Sequence, residues 1–451
     1  MNRTTYDVVV VGAGAAGLAA SVSAARHGAR TLLIEKYGFL GGTTTMGLVH
    51  HWDPVKMIES SGIIMEVYDR LKAMGALVDF DKSDSVMPFS YWEGGCGFDP
   101  EAYKAIWMDM LEEAGVCLLL HTTLVGASVA EDKIKSVTVQ NKSGLFEITG
   151  KMFVDASGDG DLIFHSGCRY KVGDDSGVCW SPTLAFRLGG VDTEQIYQYF
   201  DENPDQFGNH PRIGKYMRDY RHSAILQGFY KLIKEARENG DLTIDLPEPG
   251  IGMTIQPRYG EFHVNATRTP GMNLLDGEDL TKLEIIERQK VREVFNFMRK
   301  YIPGCQNAYI MQTAEQVALR ESRRLVGEYV MPIEDLVNGF AYEDSVVRAK
   351  WAHCDSHSGK NMQWSFKFYE GPFYVPYRSL LAKEVGNLLV AGRCVSASRE
   401  VLSSLRIQPI CACEGQAAGT AAALAATEEI AAREVDAKLL RETLKKDGVV
   451  L

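Results

Sequence analysis

The feature that most restricts this chain is the stretch YDVVVVGAGAAGLAASVSAARHGARTLLIEK at residues 6–36. Val8 to Val11 form a continuous β-branched run, the pattern of a strand buried on both faces in a parallel sheet. Gly12, Gly14 and Gly17 spell G-x-G-x-x-G at its end. A helix of small residues follows through Ala25, and Gly28 stands where a helix stops. Thr31 to Ile34 read as a second strand, closed by Glu35. Each glycine has its own physical role. Gly12 makes the tight turn, Gly14 admits a pyrophosphate close to the backbone, and Gly17 lets helix and strand touch. The helix N-terminus offers unpaired N–H groups and the positive end of its dipole. Glu35 falls where a carboxylate accepts hydrogen bonds from ribose hydroxyls. An ordinary glycine-rich turn would leave Glu35 unexplained, so the stretch predicts dinucleotide binding.

The chain then departs from a nicotinamide domain. Residues 38–50, GFLGGTTTMGLVH, carry a second glycine pair, Gly41-Gly42, before Thr43, Thr44 and Thr45. A second loop of small, hydroxyl-bearing residues suits a longer cofactor, and favours FAD. The run Met152 to Gly160, MFVDASGDG, is an apolar strand ending in small residues and acids, which suits a cofactor at the strand's carboxyl end. No second complete glycine motif with a trailing acid occurs, so a redox partner must reach the flavin directly.

At 451 residues the chain is long enough for two or three domains. Its composition, 45% hydrophobic and 24% charged, is that of a globular protein. A net charge of -11 argues against a nucleic-acid surface. The nine cysteines are odd in number and contain no C-x-x-C, which points to reduced thiols and a cytoplasmic location. Unclustered cysteines also argue against iron–sulfur ligation. No targeting segment or membrane span stands out. The apolar residues 410–426 include Glu414 and Gln416 and fit a buried helix.

Further elements can be placed. A helix is expected near 57–74. Residues 84–98, aromatic and glycine-rich, suit either a pocket cover or a surface excursion. Residues 99–115 are a helix, with Asp99 as N-cap, Pro100 at its start and Gly115 at its end. Residues 124–155 read as a β-meander. Residues 261–266 alternate, with His263 and Asn265 sharing one face of a strand. Thr281-x-x-Glu284 predicts a capping box opening a helix over 281–300. Residues 351–371 read as a loop. His353 and His357 have a ligand spacing only if helical, and Asp355, Ser356 and Gly359 argue for a loop, so no metal site is expected. Cys411 and Cys413 lie two apart on a helix and point to different sides, which favours buried small residues over a redox pair.

Several segments together resemble one family. RESRRLVGEY at 320–329, FYVPYRSLL at 373–381 and NLLVAGRCVSASREVLSSLRIQPICACEGQAAGTAAALA at 387–425 are similar to the FAD-dependent oxidoreductase family of the glutathione-reductase-type flavoproteins. VDASGDGDL at 154–162 and GFLGGTTT at 38–45 match it too. The resemblance implies an α/β fold: a Rossmann-like FAD-binding domain of the glutathione-reductase type with an inserted α+β substrate domain. The FAD domain would comprise 1–50, 99–175 and 371–451, and the cap 51–98 and 176–370. It implies that Gly12, Gly14, Ala15, Ala16 and Gly17 face the pyrophosphate, with Glu35 and Lys36 beside the adenosine ribose. Gly41, Gly42, Thr43 and Thr44 would lie along the cofactor, and Val125 would meet adenine through its backbone. Ala156, Ser157, Gly158, Asp159, Gly392 and Arg393 would complete the diphosphate and ribityl contacts. Ile407 would precede a helix, from about Pro409, aimed at the flavin's pyrimidine side. Fumarate-reductase-like proteins with covalent flavin resemble a pattern with His just after the glycine pair. Threonines stand there in this chain, so the flavin is expected to be non-covalent.

Flavin chemistry needs an acid–base group and positive charge for developing anions. His50 and His51 follow the flavin loop, and His51 is the acid–base candidate. Arg323, with Arg324 beside it, suits a carboxylate or carbonyl. Tyr377, Arg378 and Arg406 lie in segments expected near the ring. The reading is an FAD-dependent oxidoreductase moving a hydride between a small organic substrate and flavin N5. The alternative is a flavin-bearing electron-transfer subunit of a larger redox complex, which the lack of cysteine clusters disfavours. A small molecule is the expected partner, with neither nucleic acid nor membrane. Electron acceptor and homo-oligomer formation are left open.

Overall fold

The structure, a computed structural model, describes residues 5–52, 62–79, 95–206, 225–246, 250–356 and 365–451. The valine strand Tyr6–Val11 has no exposed face, and the sheet shows why. Thr31–Ile34 pairs with it in parallel on one side and Gly144–Asp155 in parallel on the other. Cys117–Leu119 extends the first side and Leu388–Val390 the second, again in parallel. Gly144–Asp155 has two roles along its length. Its first half pairs antiparallel with Lys133–Asn141, and Thr123–Ala130 completes the expected meander. Its second half sits in the parallel sheet and delivers residues 156–160 beside the glycine loop.

Two helices of small residues position the site. Ala15–Arg26 packs along Gln408–Glu428, and both are buried over most of their length. The approach is set by missing side chains. A Cβ on Gly415 would lie 2.0 Å from the carbonyl oxygen of Ala16, and one on Gly419 2.1 Å from that of Ala20. Ser23 and Thr420 hydroxyls hydrogen-bond across the seam at 2.8 Å. Alanine, glycine and serine lose little side-chain entropy on burial, and their small size brings both N-termini to one cleft.

A second core, away from this sheet, fills an antiparallel five-stranded sheet ordered Ile225–Gly228, Ile251–Ile255, Phe262–Asn265, Phe186–Gly189, Tyr309–Thr313. Helix Gly277–Tyr301 covers it with Leu283, Val291, Val294, Phe297 and Met298. That helix starts four residues before the Thr281 box. Asp276 is the true N-cap, its carboxylate accepting from the N–H groups of Glu278 and Asp279. Thr281 bonds back to Gly277, and Glu284 accepts from Val317 N–H instead. An ionised side chain two residues from the free N–H groups outcompetes the later threonine.

Other expectations fare differently. Helix Pro100–Glu113 has the Asp99 cap as read. Helix Gly62–Ala73 buries Ile63, Ile64, Val67 and Leu71 in the first core, although the sequence reading groups it with the cap. Residues 53–61 and 80–94, and with them most of the 84–98 stretch, lie outside the described residues. The 351–371 loop is corrected. Ser345–Ser356 and Ser365–Pro376 form a two-stranded antiparallel ribbon, and 357–364, including His357, lie outside the described residues. Val346, Val347, Ala349, Phe373 and Val375 bury the base of the ribbon in the first core and lie outside 351–371, so the stretch read as a loop carries little of that apolar signal. Among the described residues no group of three or more His, Cys, Asp or Glu is arranged to hold a metal ion. Among them, no helix is long and apolar enough to cross a membrane.

Candidate functional site: a cleft between the glycine loop and the cap sheet

The glycine motif is used as its spacing predicts. Gly12 has φ +99°, and its N–H donates to Ile34 O at 2.8 Å. A Cβ on Gly17 would lie 1.8 Å from Gly12 O, so helix and turn touch there. A Cβ on Gly14 would meet nothing within 4 Å, because that position faces an open cleft. The cleft holds about 1860 Å³, its open mouth included. Gly12, Gly14, Ala15 and Ala16 line it, with Gly41, Gly42, Thr43 and Thr44 beside them. Ala156 to Asp159 and Gly392-Arg393 enter from the ends of the central strands, and Ile407 from the N-cap of helix Gln408–Glu428. Gly17 lies beneath this surface. Val125, on the meander and 37% exposed, is not among the lining residues.

Charge at this end is balanced in detail. Glu35 accepts from Ala13 N–H at 2.7 Å and Tyr37 N–H at 3.0 Å. Burial raises its pKa above the ordinary value, and those two donors offset part of the rise. Asp159 is ion-paired with Arg393 at 3.0 Å. Burial pushes its carboxyl up, but Arg393, Lys36 and the Ser322 hydroxyl outweigh this and hold it below the usual range. Lys36 is the converse case, with burial opposed chiefly by Asp159, and its pKa is raised. Behind the cleft, buried Glu414 accepts from Gly392 N–H at 2.8 Å, and burial lifts its carboxyl well above the ordinary value. Gln408 ties the two lining elements together: its amide donates to Val49 O and accepts from Thr44 and Trp52.

The five-stranded antiparallel sheet and the segments around it supply the other wall. Thr183, Asn265, Arg268, Gln316 and Arg320 line the cleft there, with His51 and Arg406. His51 stands 5.0 Å from His263, and His263 stands 5.1 Å from His50, between ring centroids. Burial keeps all three neutral. It pushes His51 down to about 4, and His50, with the nearby Arg187 charge, down to about 3. His263 falls well below its ordinary value through burial and its two histidine neighbours.

Three catalytic candidates are not brought here. Arg323 donates to Asp159 O at 2.9 Å and Asp161 at 3.2 Å, and lies over the Phe164 ring. Arg324 points the other way, to Glu321 and Gly173 O. Tyr377 is buried with its hydroxyl on Ala432 O at 2.7 Å. Arg378 pairs with Asp344 at 2.7 Å between the rings of Tyr329 and Tyr342. Thr183, Arg268, Gln316 and Arg320 carry no local sequence signal, and of this wall only Asn265 does. The polar face of the 261–266 strand was the one signal that pointed toward it.

With this geometry in place, comparison with known proteins defines the class. The profile of the FAD dependent oxidoreductase family matches residues 7–444, and the chain belongs to that family. Curated relatives match only in part. A digeranylgeranylglycerophospholipid reductase of Methanococcoides burtonii is 25% identical over 214 residues, 44% of this chain and 48% of its own length. A thioredoxin reductase of Ureaplasma parvum is 30% identical over 87 residues, 19% of this chain and 28% of its own length. The matches thus span about half or less of those relatives. Among solved structures, p-nitrophenol 4-monooxygenase from Pseudomonas putida superposes with TM-score 0.51 at 10% identity, covering 98% of this chain and 86% of its own, a likeness of fold. The cleft fits the FAD from which that family takes its name. Gly14 leaves open the side a pyrophosphate needs, two helix N-termini face the cleft, and the buried Nη1 of Arg393 has no hydrogen-bond partner among the described residues.

Proposed function

We propose that the protein moves a hydride between a small organic substrate and N5 of non-covalently held FAD. In this reading the first core is a glutathione-reductase-type FAD domain, and the second core, largely within the 176–370 segment, forms the substrate cap. FAD supplies the hydride-accepting ring. The Gly14 backbone and the Ala15 helix N-terminus bind the pyrophosphate, with Lys36 and Arg393 offsetting its charge. Glu35 keeps lone pairs for ribose hydroxyls beyond those given to Ala13 and Tyr37. Thr43, Thr44, Ser157 and Gly392 follow the chain of the cofactor. The N-terminus of Gln408–Glu428 would offer its positive dipole end to negative charge developing on the bound flavin. His51, neutral at pH 7, takes the proton that leaves the substrate as its hydride departs.

The observation that carries this reading is His51 and the cap wall sharing one cleft with the glycine loop. None of the nine cysteines, all among the described residues, is in a disulfide, in keeping with a reducing setting. Anaerobic screening of metabolites against the purified protein tests the reading. Bleaching of the flavin band by a small molecule is the expected result. Reduction by partner proteins alone would overturn it.

A further inference from the structure

We infer that His263 is a positioning residue for His51: with His50 it forms a chain of three neutral imidazoles, in which the Leu48 carbonyl fixes every tautomer and leaves the bare nitrogen of His51 to the cleft. The inference rests on the reading of His51 as the proton acceptor, and extends it to the two histidines behind.

Two sheets bring the three rings together. His263 stands on strand Phe262–Asn265, with Arg187 and Thr254 as its cross-strand neighbours. Phe262 and Val264, on either side of it, point the other way into the second core. His51 pairs with Gly97, and a Cβ on Gly97 would lie 2.6 Å from Ile255 O. The strand carrying His51 therefore rests directly on the sheet carrying His263. His263 is 1% exposed, and its ring centroid lies 5.0 Å from that of His51 and 5.1 Å from that of His50.

The ring protons follow from one fixed end. His50 Nδ1 lies 2.7 Å from Leu48 O. A carbonyl oxygen only accepts, so Nδ1 carries the hydrogen, and Nε2 of this neutral ring is a bare acceptor. Leu48 is buried at φ +53°, a left-handed conformation unfavourable for leucine, so the fold holds this carbonyl in place against local preference. Four nitrogens of the trio are buried without a hydrogen-bond partner: His50 Nε2, both nitrogens of His263, and His51 Nδ1. Buried polar atoms are ordinarily paired. Rings at this separation come within hydrogen-bond reach, about 3 Å between nitrogens, when they turn. Within the trio, one proton arrangement pairs all four. His263 donates to His50 Nε2, its other nitrogen is then bare and accepts, and His51 donates from Nδ1. The lone pair of His51 is left on Nε2, for the cleft that His51 lines. Arg187, the charged group beside His263, is paired with Glu261 at 3.1 Å. With burial, it keeps His50 and His263 neutral, as the chain requires.

The test is NMR of the FAD-loaded protein with isotope-labelled histidine ring nitrogens at neutral pH, each ring assigned by its loss in a single-site variant. Ring nitrogen shifts distinguish the Nδ1–H tautomer, the Nε2–H tautomer and the imidazolium. His50 and His51 should both be Nδ1–H, the form that free histidine populates less. His263→Leu removes donor and acceptor together, and should lower the Nδ1–H to Nε2–H ratio at His51 about tenfold, the worth of one hydrogen bond. His263→Gln, whose amide both donates and accepts, should keep His51 as Nδ1–H. Should His263→Leu not fold, the tautomer of His51 in the unmodified protein decides. An Nε2–H His51 in the unmodified protein, an imidazolium at any of the three, or an unchanged ratio in His263→Leu would each overturn the inference. None of these spectra measures flavin bleaching, so the hydride-transfer reading fails or stands separately, on the anaerobic screen.

Discussion

The two walls of the cleft are built by opposite means. The glycine-loop wall is mostly backbone: Gly12 turns, Gly14 stays bare, Gly17 packs, and two helix N-termini face inward. The cap wall is side chains, with Thr183, Asn265, Arg268 and Arg320 drawn from positions spread over more than a hundred residues. A backbone site is local, so a short motif encodes it. A side-chain site exists only once strands and helices have met. On the proposed reading the first wall fixes the cofactor, and the second can change its substrate without disturbing the first.

Several substitutions sharpen this contrast. The largest effect is expected within the motif itself. Gly17→Ala puts a Cβ into the Gly12 carbonyl and should abolish the folded protein, read as loss of soluble expression. Gly14→Val has open space at its Cβ, so it should fold and yet bind no flavin. Flavin retention in Gly14→Val would break the assignment of that wall.

His51→Gln comes next. It should keep its flavin and lower kcat by about a hundredfold or more, the usual contribution of a positioned base. Because burial holds His51 near 4, the acid limb of the kcat–pH profile should lie near pH 4 and vanish in the variant. A limb near pH 6.5 would show that His51 is not the buried base described here.

A smaller effect concerns Glu414. Its folded pKa is raised by burial, so unfolding releases a proton once the unfolded carboxyl ionises. Stability is therefore fullest below about pH 4.5 and falls as pH rises toward the folded value. Glu414→Gln stays neutral and can still accept from Gly392. Its Tm at pH 8 should rise by a few degrees, with no gain at pH 4. An unchanged Tm at pH 8 would mean that Glu414 is ionised in the fold.

The smallest catalytic effect is expected for Arg378→Gln. Losing its ion pair and two ring contacts should cost about 1 kcal/mol in denaturant unfolding, and leave kcat within about twofold. A large kcat loss would bring this region into the site after all.

These differences also explain what the sequence discloses. The strand–glycine–helix unit, Glu35, the threonine loop and residues 156–159 were legible because each is contiguous and each has a backbone reason. The arginines were not. Arg320, Arg323 and Arg324 stand within five residues, and sequence alone does not say which one faces the cleft. Strand Arg323–Leu325 turns Arg323 to Asp161 and Arg324 to Glu321, while Arg320, before the strand, reaches the cap wall. Tyr377 and Arg378 lie in a segment that the resemblance places near the ring, but their side chains pack on Ala432 and Asp344. His263 was placed on the correct strand face, but its approach to His51 requires two sheets to meet.

On the proposed reading one cleft, floored by the glycine loop, holds FAD without a covalent bond. The most direct measurement is to denature the purified yellow protein and assay flavin in the supernatant and in the precipitate. One FAD per chain in the supernatant, and none for Gly14→Val, is the predicted result. Flavin that stays with the precipitated chain, or equal flavin from Gly14→Val, would contradict it.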